Sequence, residues 1–369
     1  MRWLEWVAVV AVLLVGSMLL LARANRRAGP GRGSAGGAAP RRRTVALAPS
    51  SPADHTLVGF VVNPTKPGVA AVRDAAARAC AARHLPEPLW FETTAVDPGV
   101  GQAREAVDRG AELVVAIGGD GTVRAVAEAL VNTAVPMGLV PQGTGNLLAR
   151  NLDLPLGDVQ GLLQIALAGR DRRIDVGRLT VLREDAELAD ATNHIFLVIA
   201  GIGFDAAMVA DADEDLKAKV GWMAYFFAGI RHLHARRMRL EMSLDDSPWY
   251  NVRLRSVLIG NCGRLPGGIT LLPDAVIDDG WLDIGALDTR GGLVGWGQLF
   301  GEVALQRFGV RSRLRNKIGR IDHARVREIR IRSRDAQQVQ LDGDVLTAAV
   351  ELMAGIEKHA LTVRVPHRA

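Results

Sequence analysis

The sequence predicts an α/β protein in which a parallel, doubly wound sheet domain is followed by a β-rich domain and preceded by one transmembrane helix. Three observations predict this. The chain opens on an apolar stretch of membrane-spanning length, strand-like and helical runs alternate from residue 57 to about 172, and strand-like runs dominate thereafter. The composition of the 369 residues, 49% hydrophobic and 23% charged, excludes a wholly disordered chain, a coiled-coil rod and a polytopic membrane protein.

The N-terminal stretch from Trp3 to Leu21 is apolar except for Glu5 and two small residues. Nineteen residues in a helix span about 28 Å, close to the roughly 30 Å hydrocarbon thickness of a bilayer. Trp3 and Trp6 lie at one end, where aromatic rings favour the membrane interface. We therefore predict a transmembrane anchor over residues 1–22.

The charges that follow the anchor predict its orientation. Arginines come directly after it, and the positive-inside rule then places the rest of the chain on the cytoplasmic face of a single-pass membrane protein. Two alternatives stay open: a cleaved signal peptide, because 22–24 (ARA) resembles a cleavage site, and a buried helix of a soluble protein. Residues 23–56, rich in Gly, Ala, Pro, Ser and Arg, predict a flexible basic linker.

The positive charge of the chain is concentrated at its N-terminus. The net charge is +5, and residues 1–43 contain eight arginines and one glutamate, so the remainder is close to neutral. A near-neutral body argues against nucleic acid as a partner. The two cysteines, Cys80 and Cys262, are too few for disulfides to stabilise a chain of this size, and this favours a reducing compartment.

Four strands and four helices account for the α/β region. The predicted strands are 57–62, 89–93, 113–117 and 137–140. The predicted helices are 69–84, about 101–109, one that ends near 132, and one that begins after 146.

Three polar, glycine-rich loops follow the first, third and fourth of these strands. They are 63–68 (NPTKPG), 118–122 (GGDGT) and 141–146 (PQGTGN). Because ligands bind beyond the carboxyl ends of parallel strands, we expect the loops to converge on one site. Glycines let a backbone approach a phosphate closely, helix N-termini offer free N–H groups, Thr122 and Thr144 offer hydroxyls, and Lys66 offers a charge. The chain has neither a Walker motif nor a dinucleotide fingerprint.

These loops, together with several later segments, resemble the diacylglycerol kinase catalytic domain family, which includes sphingosine kinases and bacterial lipid kinases. The resemblance covers about 57–366. The matching segments are 62–68 (VNPTKPG), 117–122 (IGGDGT), 140–146 (VPQGTGN), 175–177 (DVG), 200–205 (AGIGFD), 273–283 (PDAVIDDGWLD) and 341–344 (LDGD).

The resemblance implies an ATP-dependent kinase that uses Mg²⁺ and transfers the γ-phosphate to a lipid hydroxyl, with diacylglycerol as the leading acceptor and phosphatidic acid as the product. It implies a Rossmann-like α/β nucleotide-binding domain over 57–172 and a C-terminal β-sandwich domain for the lipid substrate over 173–350. A final segment, 351–369, is expected to return to the first domain.

Other functions and partners remain open at this stage. One alternative is a sphingoid-base or other lipid-alcohol kinase, and another is a pseudokinase that binds nucleotide and senses lipid. A lipid substrate and a membrane are the expected partners, nucleic acid is not expected, and a homodimer is left open.

The resemblance also implies roles for individual residues. Asp120 and Asp175 resemble acids that organise metal and water near the phosphates. Asp342 and Asp344 resemble the carboxylates from which the family draws its catalytic base, and the sequence does not decide between the two. The nucleotide-binding residues, taken with the loop chemistry above, are Asn63, Pro64, Thr65, Lys66, Gly68, Thr94, Gly118, Gly119, Asp120, Gly121, Thr122, Gly143, Thr144 and Asn146.

A structural magnesium loop is implied as well. The segment PDAVIDDG resembles such a loop, with Asp279 and the backbone carbonyls of Val276 and Trp281 as the metal ligands.

The chain departs from the family pattern beside two of the loops. Arg124-Ala125 stands where the family often has Asn-Glu, and Leu147 stands where it often has Asp. We expect Arg124 to supply positive charge near the phosphates. The apolar stretches 216–239 and 291–310 have helical spacing and are expected to pack in the core, with lipid contact as the alternative.

Overall fold

The computed structural model describes residues 56–184, 190–203, 237–266, 269–289 and 319–367. The predicted anchor, the linker up to residue 55, most of the stretch 216–239 and the stretch 291–310 lie outside them. Within these ranges, no helix has the length and apolar character needed to cross a bilayer.

The first domain is a four-stranded parallel sheet with five helices. Its strands are β1 (Val58–Val62), β2 (Leu89–Glu92), β3 (Leu113–Gly118) and β4 (Met137–Pro141). They lie in the order β2-β1-β3-β4, and every neighbouring pair is parallel. The helices are α1 (Val69–Ala81), α2 (Val100–Asp108), α3 (Asp120–Leu130), α4 (Leu147–Asn151) and α5 (Val159–Ala168). The predicted alternation is confirmed, and the three glycine-rich loops leave the sheet at the same edge.

Burial explains why these runs form strands. All residues of β1, β3 and β4 are buried, as expected for parallel strands that are covered on both faces. The helices pack in pairs, α1 with α5 and α2 with α3. Gly138 in β4 permits close helix packing, because a Cβ atom there would lie 2.8 Å from the Cβ atom of Ala166 in α5.

The second domain is built from antiparallel strands. The early strands are β5 (Arg170–Leu182), β6 (Thr192–Phe196), β7 (Ile199–Gly203), β8 (Met238–Leu244), β9 (Tyr250–Leu254) and β10 (Ser256–Gly260). The later strands are β11 (Arg264–Leu265), β12 (Ile269–Thr270), β13 (Leu282–Thr289), β14 (Gly319–Val326), β15 (Glu328–Leu341) and β16 (Asp344–Val365). The main sheet has the order β14-β13-β10-β7-β15-β16; β5 pairs with β16 and β6 with β5, while β8 pairs with β15 and β9 with β8.

In the second domain, the sequence predicts strands over 195–200, 237–244, 252–260, 281–287, 326–331, 337–341 and 361–365; the structure divides two of these runs and joins two others. The run 195–200 divides because β6 ends at Phe196 and β7 begins at Ile199. The run 252–260 divides at Arg255, because β9 pairs with β8 whereas β10 pairs with β7 and β13. The runs 326–331 and 337–341 belong to one long strand, β15, whose pairing with β16 is irregular between Arg332 and Gln337. Polar residues in that irregular part interrupt the apolar pattern that the sequence shows.

Strand β16 joins the two domains. Its first part pairs with β15 and β5, and Val363 near its end pairs in parallel with Met137 of β4. At the crossing, Asn132 donates its backbone N–H to Ala360 O at 2.8 Å and its side-chain amide to Glu357 Oε1 at 2.6 Å. Arg178 donates to the other oxygen of Glu357 at 2.6 Å. These bonds clamp the end of α3 to the second domain.

Candidate active site

The predicted phosphate loops contact one another through their backbones. Gln142 donates its N–H to Gly118 O at 2.7 Å, and a Cβ atom on Gly143 would lie 2.9 Å from Gly119 Cα. A Cβ atom on Gly119 would lie 3.9 Å from Lys66 Nζ, so the ammonium group stands beside the glycine loop. At the start of α3, a phosphate could therefore approach backbone that no side chain covers, beside one positively charged side chain.

The first loop is held by Asn63. Its Oδ1 accepts hydrogen bonds from the backbone N–H and the hydroxyl of Thr65, at 3.0 and 2.8 Å, while its own N–H donates to Ile117 O in β3. Pro64 lies within this turn. Gly68 has φ +79° and begins α1, a conformation that a side chain would strain.

Asp120 links the second and third loops. Its Oδ2 accepts the N–H of Asn146 at 2.8 Å and its Oδ1 accepts the N–H of Leu147 at 2.6 Å. A Cβ atom on Gly145 would lie 2.7 Å from Asp120 Oδ2, so this approach requires glycine. Burial raises the pKa of Asp120 to about 6; the two amide bonds oppose the rise, and the carboxylates of Asp342 and Asp344 add to it.

The backbone contact of Leu147 explains one departure from the family pattern. Leu147 supplies a main-chain N–H to Asp120, while its side chain is buried. Asn146, at φ +49°, closes its own loop by accepting from Gly143 N and donating to Gly143 O, at 2.9 and 2.8 Å. Thr144 lies exposed on this loop.

Thr122 and Thr94 contact their own segments of the chain in the structure, and their contacts with a nucleotide stay a prediction. Thr122 is only 4% exposed and packs beneath the loop, where a Cβ atom on Gly118 would lie 2.7 Å from its hydroxyl oxygen. Its hydroxyl oxygen therefore lies close to the backbone of the second glycine-rich loop. Thr94 is exposed at the end of β2, but its described bonds close its own turn with Asp97.

Asp342 and Asp344 lie in different surroundings although they are two residues apart. Asp342 is 4% exposed, has φ +49°, and accepts three backbone N–H groups, from Leu197 at 2.9 Å, Val198 at 2.9 Å and Ile199 at 3.0 Å. Burial raises the pKa of Asp342, with the charge of Arg124 and the three amide bonds acting against it. The described contacts make Asp342 a structural anchor of the turn between β15 and β16.

Asp344 is the accessible carboxylate of this turn. Its side chain is 56% exposed, and a Cβ atom on Gly121 would lie 3.4 Å from its Oδ2. The second domain thus presents an acid to the first turn of α3, directly beside the phosphate loops.

Arg124 contacts the acid turn. Its Nη1 donates to Leu341 O at 2.6 Å and its Nη2 donates to Asp344 Oδ2 at 3.1 Å. Its charge is therefore directed at the turn that carries Asp342 and Asp344, one turn of α3 away from the loop glycines. The neighbouring Ala125 is buried in the helix packing.

Asp175 is not part of the exposed acid group. It is fully buried, its Oδ2 accepts Gly280 N at 2.6 Å, and its Oδ1 accepts His359 N at 2.7 Å. Both oxygens thus hold the loop 273–280 against the bend in β16. A role of Asp175 in organising metal and water near the phosphates stays a prediction.

The loop 273–280 does not fit the magnesium ion that the resemblance implies. Asp279 Oδ1 accepts Trp281 N at 3.1 Å, and Asp279 Oδ2 is paired with Arg325. Both oxygens of the expected ligand are therefore engaged, while Val276 lies 46% exposed. Within the described part of the chain, no group of three His, Cys, Asp or Glu side chains could hold a metal ion.

Sequence reasoning missed Asn261, which lies at the end of β10. It is fully buried, and its side-chain amide donates to Asp175 O and Leu197 O, both at 2.9 Å. Since Leu197 N donates to Asp342, Asn261 connects the two buried aspartates. The sequence feature that could have indicated this residue is a single amide side chain directly after the apolar run SVLIG.

A cavity of about 410 Å³ adjoins the third loop. Arg150 connects the two, because it lines the cavity and donates from Nε to Gly145 O at 2.7 Å. Arg264 is paired with Asp153 at 2.5 and 3.2 Å. The lining residues are Arg150, Asp153, Leu154, Leu156, Arg264, Leu265 and Thr270.

Two family models match the chain. The one described as diacylglycerol kinase catalytic domain matches residues 58–179, and the one described as YegS C-terminal NAD kinase beta sandwich-like domain matches residues 198–365. They confirm the resemblance, and the second agrees with the β-sandwich expected for the C-terminal domain.

Similar proteins carry related names. A protein of Pseudomonas syringae pv. tomato named probable lipid kinase YegS-like is 33% identical over 271 residues, which cover 71% of this chain and 78% of that protein. An uncharacterized protein of Synechocystis sp. is 36% identical over 162 residues, and the matched part is 34% of its length. A crystal structure of a diacylglycerol kinase from Bacillus anthracis has a TM-score of 0.59 at 19% identity, covers 84% of this chain and 96% of its own, and shows the shared fold.

Proposed function

We propose that this chain, which belongs to the YegS-like lipid kinase family, transfers the γ-phosphoryl group of ATP to the hydroxyl group of a lipid, with diacylglycerol as the leading acceptor. One observation carries the proposal. The exposed carboxylate of Asp344 reaches the first turn of α3, where a Cβ atom on Gly121 would lie 3.4 Å from it, beside the glycine loops and Lys66. The proposed phosphate site and the proposed proton acceptor therefore lie together at the carboxyl edge of the parallel sheet.

The nucleotide side of the site is built from backbone and charge. The glycine loops expose N–H groups at the start of α3, whose dipole favours an anion there, and Lys66 adds a positive charge. ATP reaches kinases with Mg²⁺, which neutralises phosphate charge and typically binds one or two carboxylates together with the phosphates. Asp120 is the carboxylate of the second loop that would bind such an ion, which leaves the carboxylate of Asp344 for the hydroxyl of the acceptor.

Asp344 is better placed than Asp342 to act as the general base that accepts the proton of the lipid hydroxyl. A lipid hydroxyl is a poor nucleophile, and a carboxylate that accepts its proton assists the attack. In the proposed step, the lipid oxygen bonds to the γ-phosphorus, the hydroxyl proton moves to Asp344, and the bond from phosphorus to the bridging oxygen breaks to release ADP. The three N–H groups on Asp342 and its burial deny a substrate access to that carboxylate.

The acceptor and the location are the finer parts of the proposal. A transmembrane anchor over residues 1–22 would keep the enzyme, on the cytoplasmic face, at the bilayer that contains its substrate. The cavity beside Arg150 has both apolar and charged lining residues, as an amphipathic headgroup requires. The same chemistry suits a sphingoid base or another lipid alcohol.

The test is transfer of radiolabelled γ-phosphate from ATP in mixed micelles. The acceptors are diacylglycerol, monoacylglycerol, sphingosine and NAD, and ATP binding is measured in parallel by calorimetry. Label in diacylglycerol supports the full proposal, and label in another lipid alone corrects the acceptor. Label in NAD alone, or ATP binding without transfer to any acceptor, contradicts the lipid kinase proposal; the second outcome supports a pseudokinase.

A further inference from the structure

The loop that resembles a magnesium site already contains a cation from another strand. Arg325 lies in β14 directly opposite Asp283 of β13 in the antiparallel register. Its Nη2 is paired with Asp279 Oδ2 in the loop, and its Nε lies 3.7 Å from Asp283 Oδ2. One guanidinium thus faces two carboxylates, one in the loop and one in the strand that follows it.

These carboxylates need a counter-charge. Asp283 is only 4% exposed, and its Oδ2 is buried without a hydrogen-bond partner among the described residues. The guanidinium of Arg325, which is also paired with Asp279, is the cation that faces this oxygen. Leaving such a group without a cation is costly, since a buried charge requires a partner.

The aromatic ring of Trp281 holds the arginine side chain in place. The guanidinium carbon of Arg325 lies 5.9 Å from the centre of this ring, and that of Arg327 lies 4.8 Å from it. Arginine binds carboxylates with a planar fork and favours aromatic faces, so the site is suited to a guanidinium. Mg²⁺ requires octahedral oxygen ligands at about 2.0–2.1 Å, and a guanidinium that is paired with Asp279 occupies that ligand and repels a second cation.

From this geometry we infer that Arg325 replaces the structural metal ion of the loop 273–280: its guanidinium neutralises Asp279 and Asp283 and fastens the loop to β13 and β14. The consequence extends beyond the loop. Ile277 O and Gly280 N are bonded to Asp175, which in turn holds the bend of β16 through His359 N. The stability of this junction is then independent of Mg²⁺.

Thermal unfolding of the full chain without nucleotide tests the inference, in EDTA and in millimolar MgCl₂. We expect the wild-type midpoint to be the same in both solutions. Arg325→Ala should lower the midpoint in EDTA by about 3–8 °C, and Mg²⁺ should restore part of the loss by entering the vacated site. Arg327→Ala is the matched control, because among the described residues Arg327 covers the same ring without an ion pair to the loop. It should give no response to Mg²⁺.

Two results would overturn the inference. One is an unfolding midpoint that is higher in MgCl₂ than in EDTA for the wild type but is the same in both solutions for Asp279→Asn. The other is an Arg325→Ala midpoint equal to that of the wild type. If Arg325→Ala does not fold, Mn²⁺ binding measured by electron paramagnetic resonance decides: equal numbers of bound ions in wild type and Asp279→Asn support the inference, and one ion fewer in Asp279→Asn contradicts it.

Discussion

Replacing Arg124 with glutamine should destabilise the protein mainly through the loss of its bond to the backbone, and only slightly through the loss of its ion pair. The bond to Leu341 O, at 2.6 Å, joins a charged donor to a carbonyl of a residue that is 1% exposed. Bonds of charged groups are worth about 1.5–3 kcal/mol, and an acceptor that is left unsatisfied in the interior has a similar penalty. The pair with Asp344 involves a side chain that is 56% exposed, where about 0.2–1 kcal/mol is typical.

The expected change for Arg124→Gln is therefore a loss of about 2–3 kcal/mol in the free energy of unfolding. Asp344→Asn, which removes the charge of the partner and leaves the bond to Leu341 O, should change it by less than about 1 kcal/mol. Urea denaturation followed by circular dichroism measures both, and the double variant gives the coupling energy. The reasoning is refuted if Asp344→Asn destabilises the protein as much as Arg124→Gln does, or if Arg124→Gln has no effect.

Three further predictions concern the loops, the titration of Asp120 and the domain junction. Gly145→Ala should weaken ATP binding at least tenfold in calorimetry, because the added Cβ atom would lie 2.7 Å from Asp120 Oδ2. Gly355→Ala is the control and should bind ATP normally, because its Cβ atom would have only an ordinary 3.7 Å contact. Equal ATP affinities of the two variants would contradict this prediction. Because the pKa of Asp120 is raised to about 6, the folded state holds a proton that the unfolded chain releases near pH 4, so the stability from this group declines as the pH rises from about 4 to 6. Asp120→Asn should flatten that decline when unfolding is measured without nucleotide or Mg²⁺, and an unchanged slope would argue against the shift. Glu357→Gln should lower the free energy of unfolding by about 1–3 kcal/mol, since it weakens the bonds from Asn132 and Arg178. Glu105→Gln, which weakens an exposed pair with Arg109 at the end of α2, should change it by less than about 0.5 kcal/mol.

The convergence of the glycine-rich loops could be predicted because the sequence pattern of each loop is local. Each glycine-rich segment follows a buried apolar run, and parallel strands bring their carboxyl ends to one edge of the sheet. The backbone contacts between Gly118, Gly119, Gln142 and Gly143 follow from that arrangement.

The roles of the acids could not be predicted because their partners are distant in sequence. Asp175 is bonded to Gly280 and His359, which lie 105 and 184 positions away. Arg124 contacts residues 217 and 220 positions further along the chain. Asp342 and Asp344 are alike in the sequence, and only the amides of 197–199, brought in by another strand, separate a buried anchor from an exposed carboxylate.

The measurement that tests the central claim most directly is phosphate transfer to diacylglycerol by Asp344→Asn, with ATP affinity and the unfolding midpoint measured on the same samples. If Asp344 accepts the proton of the lipid hydroxyl, the variant should keep the fold and ATP affinity of the wild type and lose at least about a hundredfold in transfer rate. Asp342→Asn should instead lower the unfolding midpoint, because it disturbs three backbone hydrogen bonds. A stable Asp344→Asn protein that phosphorylates diacylglycerol at the wild-type rate would contradict the account.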